Sequence, residues 1–141
     1  MTGLMRISDF CFIMAAVCAL CGMLLGIIMG ISQDFTMAPA HAHLNLLGWV
    51  TMALYGLYHR GAGRTGGFAG WIQVSSGALG AALMSGSLGV YLATGTDNVT
   101  PLIIAGSLLV VVAMLMFLGL VVVDLLRVRR PSGFDQGAYS G

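Results

Sequence analysis

The chain has 141 residues, 58% of them apolar, and its charged side chains are six Arg and five Asp, with no Lys or Glu. A water-soluble domain of this length places about a quarter of its residues in charged surface; the 8% found here cannot coat one, which excludes a soluble enzyme. A net charge of +1 also excludes nucleic-acid binding, which requires a concentrated basic face. An integral membrane protein, with the lipid bilayer as its principal partner, is the class that remains.

In chain order, Arg6 precedes a charge-free run from Phe10 to Ile31, and further such runs cover Ala38 to Tyr58, Phe68 to Thr94 and Pro101 to Val123. Each has the ~20 residues that a hydrocarbon core of ~30 Å requires of a helix. Backbone polar groups in lipid must bond internally, and the alternation of a barrel strand is absent, so each run reads as a helix. The connections hold the breakers: Ser32-Gln33-Asp34, Arg60-Gly61-Ala62-Gly63-Arg64, and Gly95-Thr96-Asp97-Asn98 before Pro101. The expected fold is all-α, a bundle of four transmembrane helices over residues 1–130, with a Gly- and Ser-rich tail at 131–141 expected to be disordered. The first run exceeds the 7–15 residues of a signal-peptide core, so it reads as a span even though Ala38-Pro39-Ala40 resembles a cleavage site.

Arginines near span ends stay on the cytoplasmic side. Arg6, Arg60, Arg64, Arg127, Arg129 and Arg130 all fall at the N-terminus, the second loop or the C-terminus, while the first and third loops carry only Asp34 and Asp97. Both termini are therefore expected in the cytoplasm, as in a bacterial inner-membrane protein. Gly22, Gly26 and Gly30 on the first span, and the pairs Ser76, Gly80 and Ser85, Gly89 on the third, are spaced for close helix packing inside one bundle. Cys11, Cys18 and Cys21 lie within the first span and read as small buried hydrophobes. Gly22 follows Cys18-x-x-Cys21 where covalent haem attachment requires His. Asp124, three residues before Arg127, is expected to form an interfacial ion pair with it.

The three histidines all belong to the second span: His41 and His43 near its outer end, His59 at its inner end. A ligating side chain inside a span is expensive and points to function. His59, beside Arg60, is expected to face water and headgroups. At ~100° per residue His41 and His43 diverge by about 200°, so a regular helix cannot present both to one ion. His41, Asn45, Gly48, Met52 and Tyr55 form one stripe, whose glycine would let a flat ligand approach the backbone. His43, Leu47, Val50, Leu54 and Tyr58 form another, an apolar wall topped by one imidazole. Such a wall suits a haem, whose iron takes a neutral ring nitrogen. Either histidine could be the ligand on periodicity alone.

The stretch Ala40-His41-Ala42-His43-Leu44-Asn45-Leu46-Leu47-Gly48-Trp49-Val50 resembles the second helix of the catalytic subunit of haem-copper oxidases, above all the nitric oxide reductase and C-type oxidase branches. The segment from Ser32 to Arg60, about a fifth of the chain, is similar to short stand-alone proteins grouped with cytochrome c oxidase subunit I. The resemblance implies a b-type haem held by His43, with His41, Asn45 and Gly48 beside it, and a role in electron transfer or as an accessory to respiration. The full subunit supplies a second axial histidine and three copper-ligating histidines from later helices. This chain has no histidine after His59, so one copy cannot assemble an oxygen- or nitric-oxide-reducing centre, and the sequence points away from an autonomous enzyme. A sixth ligand would come from Met84 or from His43 of a second copy in a homo-oligomer or respiratory complex. Propionates, without the family's outer arginines, would face water or meet Asn45, Gln33 or Trp49. Two alternatives stand beside haem: copper held by Asp34, Met37, His41 and His43 where the loop enters the second span, and a structural subunit whose histidines only cap and bond within the bundle.

Overall fold

The computed structural model describes residues 5–62 and 67–128, and among them every regular element is helical. The first helix, α1, is Ile7–Ser32. A second rod runs without a break through α2 (Ala38–His43), a π-helical stretch (Leu44–Thr51) and α3 (Met52–Gly61). After it come α4 (Phe68–Thr94), a 3₁₀ turn (Asp97–Val99) and α5 (Thr100–Val128). All four expected spans are helical. Three of the rods outrun their charge-free segments, because a helix continues past the hydrocarbon into an end turn that carries a charge, Asp9 at the start of α1, Arg60 at the end of α3 and Arg127 at the end of α5. α1, α4 and α5 are each long and apolar enough to cross a membrane; the second rod, divided by its change of pitch, is the fourth helix of the bundle. Arg64, Arg129, Arg130 and the tail 131–141 lie outside the described residues.

Local chemistry sets the ends. α1 stops at Gln33, a non-glycine residue in the left-handed region (φ 56°), whose side-chain amide donates to the Gly30 carbonyl and so satisfies part of the last turn. Asp34 Oδ1 accepts from Thr36 N–H (2.9 Å) and Thr36 Oγ1 (2.6 Å), and this turn feeds the chain into the second rod. Pro39 sits in the first turn of that rod, where its missing N–H has no cost. α4 closes on Gly95 (φ 67°), whose N–H donates to the Tyr91 carbonyl.

α1 packs along the second rod, the rod packs on α4, and α5 lies along α4. The bundle thus has an arginine end, with the start of α1, the end of α3 and the end of α5, and an aspartate end, with the two loops holding Asp34 and Asp97. The apolar core sits toward the arginine end and is made of Ile7, Cys11, Ala15, Met52, Tyr55, Val74 and Ala78, with Trp71 and Phe117 against it. Phe117 of α5 closes on the rings of Tyr55 and Tyr58 at 4.8 and 5.0 Å. Outside this core the surface is greasy on every rod: Ile28, Leu46, Leu108 and Leu115 are each about 61% exposed, a coating that only lipid or another membrane helix can solvate.

The small residues serve contacts inside the chain. A Cβ on Gly22 would collide with the Asn45 amide, and one on Gly26 would crowd the His41 ring, whereas Gly30 meets nothing. Gly80 and Gly106 let the backbones of α4 and α5 touch: a Cβ on Gly80 would stand 2.9 Å from the Gly106 carbonyl oxygen. Cys11 and Cys18 are buried as expected, but Cys21 is exposed. Cys21, about 60° around the helix from Cys18, borders an open groove beside Ala40 and Leu44 and is not covered by the second rod as Cys18 is at Gly48.

Candidate functional site

The two histidines at the aspartate end of the second rod face opposite ways, as their spacing requires. His43 Nδ1 lies 2.7 Å from the Pro39 carbonyl oxygen. A carbonyl only accepts, so Nδ1 carries the proton, and Nε2 keeps a lone pair on the far side of the ring. This backbone anchor is the arrangement that orients and tautomerises a metal-ligating imidazole. Below His43, which like Leu47 is half-buried, Val50 and Leu54 are 39% and 55% exposed and face out of the bundle. The expected wall does not face one way over its length: Val50 and Leu54 are exposed, whereas Tyr58 turns to α5, against Phe117 and Asp124.

The other stripe is closed. Asn45 donates through Nδ2 to the His41 carbonyl (2.9 Å), and its amide also stands 3.4 Å from each ring nitrogen of His41. His41 fills the notch at Gly26, and Asn45 fills the one at Gly22. A Cβ on Gly48 would stand 2.7 Å from Cys18 Sγ, so the space that glycine leaves is taken by a thiol of α1 and admits no flat ligand. Met84 is on α4 at its closest approach to α5, its backbone against Gly106. Of the expected set, His43 is the residue whose ring is anchored to the backbone and is not among the side chains that fill the glycine notches taken by His41, Asn45 and Cys18; its side chain is half-buried.

The residues considered for copper do not converge. Among the described residues no three of His, Cys, Asp and Glu come together to hold a metal ion. Asp34 is committed to Thr36, whose hydroxyl and then whose N–H hold the carboxyl below the usual carboxylate range. Met37 and Cys21 instead line a groove between α1, the second rod and α4.

His59 overturns its expectation. It is fully buried, not interfacial, and its Nε2 lies 3.0 Å from Gln73 Oε1, also fully buried. Gly70 of α4 admits the imidazole, since a Cβ there would stand 3.2 Å from His59 Cε1. The signal for this pair was Gln73, an amide six residues into an otherwise apolar run, which a membrane interior tolerates only with a partner. Asp124, expected beside Arg127, reaches across to accept from the Tyr58 hydroxyl. At the same end Arg60 pairs with Asp9 at 3.3 Å and lies over the Phe12 ring.

Compared with known proteins, the chain matches no family model, no curated protein and no solved structure.

Proposed function

We propose that this chain is a small integral membrane subunit that binds a b-type haem through His43, at the outer surface of its bundle, in an electron-transfer or accessory respiratory role. The observation that carries the reading is the Nδ1 to Pro39 carbonyl bond, which orients the ring and leaves Nε2 with a lone pair above the apolar side chains of Leu47, Val50 and Leu54. The likeness of the 40–50 stretch to the low-spin haem helix of oxidase subunit I supports the same residue. The fit is that of half a site: one axial nitrogen and one greasy wall belong to this chain, while the closed stripe of His41, Asn45 and Gly48 excludes a haem from the bundle interior. The opposite wall then comes from another membrane polypeptide. When bound, haem supplies one-electron chemistry; His43 orients it, and Leu47, Val50 and Leu54 keep that face dry.

The arginines, all at one end of the bundle, support a reading with both termini in the cytoplasm and His43 toward the outer leaflet of a bacterial inner membrane. No catalytic turnover is proposed. The test is the visible spectrum of full-length protein purified in detergent from haem-replete cells. A Soret band and a pyridine haemochrome of the b type are expected, lost in His43→Ala and kept in His41→Ala. A colourless protein would leave the purely structural reading, which the helix-packing roles of His41 and Asn45 already favour over copper. Loss of the band in His41→Ala but not in His43→Ala would reject the ligand assignment.

A further inference from the structure

A groove of about 410 Å³ opens toward the aspartate end between α1, the second rod and α4. Its floor is made of small residues, Ala40, Gly86 and Gly89, and its walls include Leu44 and the exposed thiol of Cys21. Ser85 also lines it. This side chain is 6% exposed, and its hydroxyl finds no hydrogen-bond partner among the described residues. Hydroxyls elsewhere in the bundle bond back to their own helix: Ser107 Oγ to the Ile103 carbonyl and Thr94 Oγ1 to the Val90 carbonyl, both at 2.8 Å. Ser85 is turned away from that solution, and a buried hydroxyl without a partner is costly in an apolar medium.

The depth of Ser85 narrows what can meet it. It stands four residues past the middle of α4, roughly 6 Å from the helix midpoint at ~1.5 Å per residue. Glycerol ester carbonyls bound a hydrocarbon core of ~30 Å and so lie about 15 Å from its centre. A phospholipid seated normally does not bring an acceptor to this hydroxyl. A neutral, flat, carbonyl-bearing ring on an apolar tail is a small-molecule chemistry that carries an acceptor to this depth. The size of the groove and its one polar group among apolar walls suit such a ligand.

We propose that this groove binds the ring of a membrane quinone, with Ser85 Oγ donating to one of its carbonyls and the tail leaving past Leu44 into the lipid. The site is separate from His43, and it stands or falls independently of haem binding. The test uses full-length protein in nanodiscs with decylubiquinone as the probe, read by equilibrium binding and by the infrared carbonyl stretch of the bound quinone. Saturable binding at one quinone per chain is expected, with one carbonyl band shifted down. Ser85→Ala should weaken binding about 2- to 10-fold, the worth of one hydrogen bond, and abolish the shift. Gly86→Leu should abolish binding; a Cβ at Gly86 meets nothing within 4 Å, so this variant fills the groove without forcing the helices apart. Absence of saturable binding by the wild type, an unshifted carbonyl with Ser85 intact, or undiminished binding by Gly86→Leu would each overturn the assignment. So would a tightly retained phospholipid that Gly86→Leu releases and decylubiquinone does not displace.

Discussion

Two glycines of α5 make the same substitution act with opposite sign. An ideal Cβ on Gly106 would stand 2.5 Å from the backbone nitrogen of Met84 and 3.0 Å from both Met84 Cα and the Gly80 carbonyl oxygen. Carbon needs ~3.5 Å from such atoms, and backbone cannot rotate aside, so Gly106→Ala pushes α5 off α4 by roughly 1 Å at their crossing. Overpacking of this kind costs about 1–3 kcal/mol, against which alanine recovers up to ~1 kcal/mol of helix propensity. The net expectation is a loss of about 1–2 kcal/mol. On Gly119 of the same helix an added Cβ meets nothing within 4 Å, so Gly119→Ala keeps the propensity gain alone and stabilises by up to ~1 kcal/mol. Unfolding of the detergent-solubilised chain by titration with sodium dodecyl sulfate, followed by circular dichroism and tryptophan fluorescence, measures both. Equal stability of the two variants would refute the close α4–α5 crossing.

The His59–Gln73 pair should behave as a unit. Gln73→Leu leaves a buried imidazole with neither nitrogen bonded and should cost about 1–3 kcal/mol, whereas His59→Phe combined with Gln73→Leu should recover much of that loss; a double variant weaker than the single would contradict the pairing. In the first loop, Thr36→Ala removes the main donor to Asp34, so the carboxyl pKa measured by ¹³C NMR should rise toward its ordinary value. Because the folded pKa is lowered, the turn's stabilisation is present above the unfolded value and is lost as pH falls through the folded one. Disorder of the 32–37 loop should therefore appear on acidification, and an Asp34 pKa indifferent to Thr36 would count against the turn.

Membrane class and the four helices were legible in the sequence, since in lipid a run of some twenty apolar residues has only one way to satisfy its backbone. Periodicity also placed His41, Asn45, Gly48, Met52 and Tyr55 on the packed side of the second rod, which they keep although the stretch Leu44–Thr51 between them winds as a π-helix with a wider turn than the ~100° per residue assumed. The rest was decided by which faces meet. In water an apolar stripe must turn inward, but in a bilayer Leu54 is as well solvated outside as inside, so hydropathy cannot orient a rod. Orientation came instead from close fits, His41 into the notch of Gly26, Cys18 into that of Gly48, and His59 onto Gln73 over Gly70, and these depend on pairs of residues far apart in the chain. For that reason the opposite facing of His41 and His43 was legible from their spacing, while the closure of the stripe that holds His41 and the buried hydroxyl of Ser85 emerged only when the helices were packed.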